Sequence, residues 1–387
     1  MPTPSTTCAA SASEPSREDG RQEAEATAAA RVAWVRRLTE WYRRHRRDLP
    51  WRRTRDPYAI WVSEIMLQQT RVDTVVPFYR RFLSRFPTVD ALATAPLDDV
   101  LTHWQGLGYY RRARQLHAAA GQVVADHGGA FPRTADGLRR LAGIGPYTAG
   151  AIASIAFEAP APLVDGNVAR VLARQFGIDG DIKQGRTQRA LWRQAGALVA
   201  HATSPGAFNQ ALMELGATVC TPRAPRCGDC PVADPCFART HDAVARLPVV
   251  GKKKAPAVVS WVAAVVLHPR SQRVVLAQRQ AEGLFGGLWE PPMVEANDPA
   301  AARAALERLG APRATDLREV ATVTHRLTHR RFEVTVVRGR TARAHRLSGR
   351  TPERYVALQW ARPDERPLST LARRVLGAAE TEQEALF

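Results

Sequence analysis

The sequence predicts a two-domain protein, in which an all-α domain is followed by an α+β domain. Its 387 residues exceed one ordinary domain, and 45% of them are hydrophobic, which is enough for two buried cores. Apolar residues recur at helical spacing as far as about residue 237, whereas valine-rich stretches typical of strands begin at Val258. The expected segments are a disordered tail at 1–30, the helical domain at 31–237, a linker at 238–256, the α+β domain at 257–380 and a short tail at 381–387.

The N-terminal segment and the net charge indicate where the protein is located and what kind of partner it binds. The first 30 residues have neither the basic start nor the apolar run of a signal peptide, and no later stretch is apolar for long enough to span a bilayer. We therefore expect a cytoplasmic protein with no membrane partner. The formal net charge of +18 is carried almost entirely by arginine, which predicts a polyanion such as nucleic acid as partner. An arginine-rich proteome would give the same charge without a function.

Two helices open the helical domain. The segment from Val32 to about His45 carries apolar residues at helical spacing with arginines between them, which predicts an amphipathic helix. The pair Asp56-Pro57 is a typical helix start, so Tyr58 to Val72 is predicted as one helix with a polar end. Further helices are expected up to about Phe237.

A Gly-x-Gly turn between two helices carries the first functional signal. A helix ending at Leu141 is expected to precede Gly143-Ile144-Gly145, and Pro146 opens the next helix, which runs to Phe157. The two glycines would allow a tight turn and bring backbone N–H groups against a phosphate. We therefore predict a helix-hairpin-helix that positions DNA without reading its sequence, although such turns are also common in purely structural roles.

Four cysteines lie within seventeen residues and are separated by six, two and five residues: Cys220, Cys227, Cys230 and Cys236. In a chain without a secretory signal, thiolates this close are better placed to share a metal or cluster than to form disulfides. Four thiolates can hold either zinc or an iron–sulfur cluster. Only one short Cys pair is present, where structural zinc sites usually combine two. A redox sensor is a further alternative.

These motifs, with Val164-Asp165-Gly166-Asn167-Val168 between them, resemble the endonuclease III superfamily of base-excision DNA glycosylases. The segments Leu49–Arg52 and Ser63–Thr70 resemble its adenine glycosylases of the MutY type, and the match covers about residues 31–380. The resemblance implies a [4Fe–4S] cluster on the four cysteines and a monomer that acts on double-stranded DNA. It also implies the excision of adenine mispaired with 8-oxoguanine or guanine. Ala142 departs from the proline that is usual in the family.

Two carboxylates are the candidates for breaking the N-glycosidic bond, because the base must become a better leaving group and the cationic sugar must be stabilised. Glu64 lies on an apolar helix face that would raise its pKa, which suits a general acid. The resemblance implies that Glu64 protonates adenine N7 and that Asp165 stabilises the oxocarbenium ion or its covalent adduct, with Asn167 and Tyr147 as partners. The residues alone leave open a solvated Glu64 and an Asp165 that only caps a helix.

Tyr147 distinguishes the branches of this superfamily. The lyase branch carries a lysine after the hairpin, and a phenol cannot form the Schiff base that this lysine forms with the sugar. None of the four lysines of this chain stands in the motif. We therefore predict a monofunctional glycosylase that leaves the abasic strand intact. The alternatives are an oxidised-pyrimidine glycosylase with lyase activity and a catalytically silent damage-binding protein.

The resemblance also implies residues that contact DNA, the extruded base or the lesion. Gln69, Thr70 and Tyr109 resemble the elements that fill the vacancy left in the duplex, although the first two could be a helix end and the third a turn aromatic. The full set implied for the adenine pocket and for lesion contacts is Arg47, Leu49, Trp51, Arg52, Leu67, Gln69, Thr70, Tyr109, Gln210, Thr328 and His329.

The C-terminal domain resembles a Nudix fold with an incomplete hydrolase signature. Gly283–Glu290 matches the loop of that family, but the helix expected at 300–309 keeps Glu307 alone where metal-binding acidic pairs should stand. One carboxylate cannot assemble a magnesium site, so we expect no hydrolysis of nucleotides. The resemblance instead implies that this domain reads 8-oxoguanine through Leu327-Thr328-His329, in which Leu327 replaces an aromatic residue.

Overall fold

A computed structural model gives the fold and describes residues 17–251, 255–268, 271, 273–296, 315–327, 329–340 and 355–384. The chain divides into two compact units. The first unit contains residues up to 48 together with 150–250, and the second unit contains 49–149 together with 251 onward. The helical region that was predicted as one domain therefore contributes to both units.

The helices in chain order are α1 (Arg17–His45), α2 (Pro57–Leu67), α3 (Val72–Arg85), α4 (Val89–Ala93), α5 (Leu97–Trp104), α6 (Arg111–His127), α7 (Ala135–Leu138), α8 (Pro146–Phe157), α9 (Gly166–Phe176), α10 (Gly185–Val199), α11 (Pro205–Thr218), α12 (Phe237–Thr240) and α13 (Thr370–Glu384). The strands are β1 (Ala257–His268), β2 (Arg273–Arg279), β3 (Trp289–Glu290), β4 (Met293–Glu295), β5 (Thr315–Arg326), β6 (Arg330–Arg340) and β7 (Tyr355–Ala361). All of the described strands lie beyond residue 256, as the sequence predicts.

In the first unit, α1 packs on α11, and α9 packs on α11 and α12. The apolar stripe of α1 is buried at Val35, Leu38 and Tyr42, as its spacing predicts, whereas Val32 at its start is 47% exposed. The helix begins at Arg17, so the described part of the expected N-terminal tail is helical. Residues 1–16 lie outside the description.

In the second unit, α2 begins as predicted, because the carboxylate of Asp56 accepts hydrogen bonds from the backbone N–H groups of Tyr58 and Ala59. Its predicted end at Val72 is wrong. The helix stops at Leu67, Gln69 adopts a φ of +58°, and a new helix starts at Val72. A local run of polar residues does not reveal this break, which is stabilised by a side chain from α6.

The sheet of the second unit has the strand order β3-β2-β1-β6-β5, with β4 beside β1 and β7 beside β2. The β1–β6 pair is parallel, whereas β1–β2, β2–β7 and β5–β6 are antiparallel. One face buries Trp261, Phe332 and Val334 against Leu371 and Val375 of α13. This helix continues to Glu384, into the predicted C-terminal tail. The helix expected at 300–309 lies outside the described residues.

No helix in the described ranges is long and apolar enough to cross a membrane.

Candidate active site

Glu64 lies in the interior of α2 in the second unit, and only 5% of the residue is exposed. Tyr147, the second residue of α8, donates a hydrogen bond from its phenol oxygen to Oε2 of Glu64 at 2.7 Å. On the neighbouring turn, Gln68 Nε2 donates to Thr148 Oγ1 at 3.4 Å. The start of α8 therefore fixes the orientation of the carboxyl group, and burial limits its contact with water. Glu64 is thus not the solvated helix residue that the sequence alone left open.

The predicted hairpin leads directly into α8. Gly143 has a φ of +72°, and a Cβ there would lie 2.6 Å from the Cβ of Gln115, so only glycine fits without a shift. Gly145 has no such φ, and a Cβ there would meet nothing within 4 Å in the described part of the chain. Ile144 is buried between them. The tight turn therefore depends on Gly143, and the predicted approach of a phosphate to the backbone at Gly145 stays a prediction.

Asp165 lies in the first unit, immediately before α9. Its Oδ1 accepts a hydrogen bond from the backbone N–H of Val168 at 2.7 Å, so it caps the helix. Asn167 Nδ2 lies 3.4 Å from Asp165 Oδ2. Burial raises the pKa of Asp165, while backbone hydrogen bonds and the charge of Arg170 act in the opposite direction. Asp165 therefore caps α9, and its carboxyl group has a raised pKa.

Arg170 of α9 joins the Asp165–Asn167 pair to the segment that carries the first cysteine. Its Nη2 donates to Asn167 Oδ1 at 2.8 Å and to the carbonyl oxygen of Gly216 at 2.7 Å. Its Nε donates to the carbonyl oxygen of Cys220 at 2.8 Å. Sequence reasoning missed this residue, because nothing in the pattern distinguishes a buried arginine from the many exposed ones.

Cys220, Cys227, Cys230 and Cys236 line one cavity of the first unit, and none of them forms a disulfide. Burial raises the pKa of Cys230 to about 12, and the neighbouring thiols act in the same direction. Arg174 is 3% exposed, and its Nη1 donates to Cys220 Sγ at 3.5 Å. Thiols in such a setting ionise when a cationic group binds them, so the four side chains fit a metal-containing group.

The four thiols share a cavity, although across the described residues no three His, Cys, Asp or Glu side chains form a site for one metal ion.

The residues predicted for the adenine pocket are distributed over both units. In the first unit, Arg47 pairs with the fully buried Glu214, with Nη2 to Oε2 at 2.8 Å and Nε to Oε1 at 2.9 Å. In the same unit, Gln210 Oε1 accepts a hydrogen bond from Tyr42 at 3.0 Å. Arg47 and Gln210 thus already have partners within the protein, and Glu214 is a residue that the sequence analysis did not identify.

The other predicted pocket residues belong to the second unit. Leu49 and Trp51 are buried, and the ring of Trp51 packs edge-on against Tyr79 with a centroid distance of 5.4 Å. The backbone N–H of Arg52 donates a hydrogen bond to the carbonyl oxygen of Leu49 and closes a single 3-10 turn. Leu67 is the last residue of α2 and is half-buried.

Gln69 and Tyr109 are exposed, and each lies in its own loop of the second unit. Thr70, beside Gln69, donates from its hydroxyl to the carbonyl of Gln68 at 3.4 Å. His329 lies in the β5–β6 turn, where its carbonyl accepts from the N–H of Ala257. Thr328 lies outside the described residues.

Comparisons with known proteins agree with this architecture. Residues 62–196 match the family described as "HhH-GPD superfamily base excision DNA repair protein", and residues 262–378 match the NUDIX domain. A solved "thermostable thymine-DNA glycosylase" is 32% identical and superposes with a TM-score of 0.50, covering 56% of this chain and 99% of that one. The predicted fold class, a helical glycosylase domain followed by a Nudix-like domain, is thereby confirmed.

Curated relatives are adenine DNA glycosylases. The human protein is 39% identical over 350 residues, which are 76% of this chain and 64% of that protein. The protein of Schizosaccharomyces pombe is 34% identical and covers 67% of this chain and 68% of its own length, and that of Buchnera aphidicola subsp. Baizongia pistaciae is 34% identical and covers 69% and 76%. The chain thus spans less than two thirds of the human relative but more than two thirds of these two. It belongs to the adenine DNA glycosylase family, within the HhH-GPD superfamily of base excision DNA repair proteins.

Proposed function

We propose that this chain is a monofunctional adenine DNA glycosylase that hydrolyses the N-glycosidic bond of adenine mispaired with 8-oxoguanine or guanine. The observation that carries the proposal is the buried Glu64 carboxyl group, held at 2.7 Å by the phenol of Tyr147. A general acid needs a fixed orientation and shelter from water, and this pair supplies both.

Glu64 delivers a proton to N7 of the extruded adenine, so that the base leaves as a neutral molecule when the bond between N9 and C1′ breaks. The bonding electrons go to the base, and a cationic oxocarbenium sugar remains. Tyr147 acts by holding the carboxyl group in the orientation that this proton transfer requires.

Asp165 supplies the negative charge that stabilises the cationic sugar. Its burial strengthens this interaction, because charges attract each other more strongly where water is excluded. A water molecule then attacks C1′ and loses a proton to a carboxylate, which gives free adenine and an abasic strand. Asn167 orients Asp165 through its amide.

The strand stays intact because position 147 offers a phenol and not an amine. The four lysines of the chain are Lys183 and the triplet Lys252-Lys253-Lys254, and none is in the hairpin or in either carboxylate motif. A Schiff base with C1′ therefore has no nucleophile in the position where the lyase branch carries its lysine.

Cys220, Cys227, Cys230 and Cys236 would hold a [4Fe–4S] cluster, which is consistent with four thiols around one cavity and the guanidinium of Arg174 beside it. When bound, the cluster would serve the fold of a basic loop near DNA and not the hydrolysis itself. The C-terminal domain would recognise 8-oxoguanine in the opposite strand through its β5–β6 turn, with Thr328 and His329 as the contacts.

The test is a base-release assay under single-turnover conditions on duplexes that differ only in the target pair. Adenine opposite 8-oxoguanine or guanine should be released, whereas adenine opposite thymine and an oxidised pyrimidine opposite guanine should not. Release of the oxidised pyrimidine without release of adenine would assign the chain to the other branch. Tight binding without release from any duplex would favour a silent damage-binding protein.

A second prediction concerns strand cleavage. Treating the enzyme with borohydride during turnover on the adenine:8-oxoguanine duplex should give no covalent protein–DNA adduct, because Tyr147 cannot form an imine. Tyr147→Lys provides the matched control, since it restores an amine at that position. Efficient trapping with the unmodified protein would rule out the monofunctional assignment.

A further inference from the structure

Two exposed loop residues of the second unit have left-handed backbones although neither is glycine. Gln69 follows α2 with a φ of +58°, and Tyr109 precedes α6 with a φ of +48°. Tyr109 is 48% exposed. Such conformations persist only where the surrounding structure determines them, and they cluster at functional sites.

One side chain ties both loops together. Arg112 of α6 is 8% exposed, and its guanidinium lies between the two segments. Its Nη1 donates to three carbonyl oxygens at the end of α2, those of Ile65 at 2.8 Å, Met66 at 2.9 Å and Gln68 at 2.6 Å. Its Nη2 donates to the carbonyls of Leu107 at 3.1 Å and Gly108 at 3.2 Å and to Thr70 Oγ1 at 3.3 Å.

These contacts explain why α2 ends at Leu67. The last carbonyls of a helix have no partner within it, and here a guanidinium satisfies them in place of further helical N–H groups. The same guanidinium stacks near two aromatic rings, with Cζ 5.6 Å from the ring centroid of Tyr109 and 5.4 Å from that of Trp104. Arg112 therefore contacts one exposed aromatic side chain and the backbone of both loops.

Burial of this cation is costly, and the burial lowers the pKa of Arg112 to about 10. The group stays charged at neutral pH. Among the described residues, Arg112 contacts carbonyl oxygens, one hydroxyl group and two ring faces, so its charge serves hydrogen bonds to the two loops and not a surface ion pair. Neutral residues of similar volume would fill the same space without this cost.

We propose that Arg112 is a positioning residue that locks the 68–70 and 106–109 loops in the conformation that presents Gln69 and Tyr109 to DNA. The proposal rests on the proposed function, in which adenine leaves the duplex and protein side chains occupy the vacancy. By holding the carbonyls of Ile65 and Met66, the same guanidinium also fixes the end of the helix that carries Glu64. Loop position and acid position are thereby coupled.

Arg112→Lys tests the proposal, with Arg111→Lys as the control. Lysine keeps the charge but is a point donor without a planar fork, so it cannot serve both sets of carbonyls. Arg111 is the neighbouring residue and is exposed. Single-turnover release of adenine per active site should fall about 10- to 100-fold in Arg112→Lys, as expected for misplaced contact groups, and stay near the parent rate in Arg111→Lys.

Two further readouts separate positioning from a general loss of stability. Amide hydrogen exchange should rise at 66–70 and 106–110 in Arg112→Lys and not elsewhere in the second unit. In a double-mutant cycle with Gln69→Ala, the combined loss of rate should be smaller than the product of the single losses, because both substitutions act on the same loop. A merely structural role would give independent, multiplicative losses. Arg112→Gln, which removes the buried charge, replaces the lysine variant if that one does not fold.

Unchanged exchange in both loops, or multiplicative losses in the cycle, would overturn the role of Arg112. These results differ from failure of the proposed function, in which the parent protein itself releases no adenine from any duplex. The exchange measurement does not depend on activity, so it decides the locking of the loops in either case.

Discussion

Glu64→Gln should bind a duplex with an adenine:8-oxoguanine pair like the parent protein but release adenine about 10²- to 10⁴-fold more slowly, the range of general acid catalysis. This corresponds to about 2.7–5.4 kcal/mol of lost transition-state stabilisation. Glutamine keeps the size of the side chain and can still accept the hydrogen bond from Tyr147, so the geometry of the pair survives. Only the transferable proton is lost.

The measurement is single-turnover release with enzyme in excess, together with duplex affinity from a binding titration. Glu40→Gln is the matched control, because it makes the same change at an exposed residue of α1 and should leave both values unchanged. Parent-like release by Glu64→Gln would contradict the assignment of the general acid. A loss of affinity as large as the loss of rate would instead indicate that Glu64 serves substrate binding.

The fold could be predicted where the signals are local. The start of α2 follows from Asp56-Pro57, the start of α8 from Pro146, and β1 from its valine-rich stretch, each read from a few neighbouring residues. The end of α2 could not, because Arg112 is 44 positions beyond Gln68, whose carbonyl it binds. A charged residue inside the apolar stripe of α6, four positions before the buried Leu116, was the signal available.

The candidate site divides in the same way. Glu64 and Tyr147 can each be predicted as site residues from the sequence, yet their hydrogen bond joins positions 83 residues apart and exists only in the folded chain. Arg47 is predicted for the base pocket, but its bidentate ion pair with Glu214 depends on a residue 167 positions away. The chain contains so many arginines that the sequence does not show which of them are buried. A buried arginine can be recognised only from the hydrogen-bond acceptors that the folded chain brings to it.

Asp165→Asn should abolish most of the activity and stabilise the fold at neutral pH. We expect adenine release to fall about 10²- to 10³-fold, the range found when one preorganised electrostatic group is removed. Asparagine can still accept the hydrogen bond from the N–H of Val168, so the cap of α9 is retained while the charge is lost.

The sign of the stability effect follows from the pKa of Asp165, which burial raises above the ordinary value of 3.8. The folded state then binds the proton more tightly than the unfolded state, so the ionised carboxylate destabilises the fold at every pH above its folded pKa. This cost disappears as the pH falls toward 3.8 and both states become protonated. The unfolding temperature of Asp165→Asn should therefore exceed that of the parent at neutral pH, and the two should converge in acid.

Asp179→Asn, at an exposed loop residue of the same unit, should show no such difference. A lower unfolding temperature for Asp165→Asn at neutral pH would mean that the attraction to Arg170 outweighs burial. In that case Asp165 would be held for structure, and release at the parent rate would remove it from the reaction.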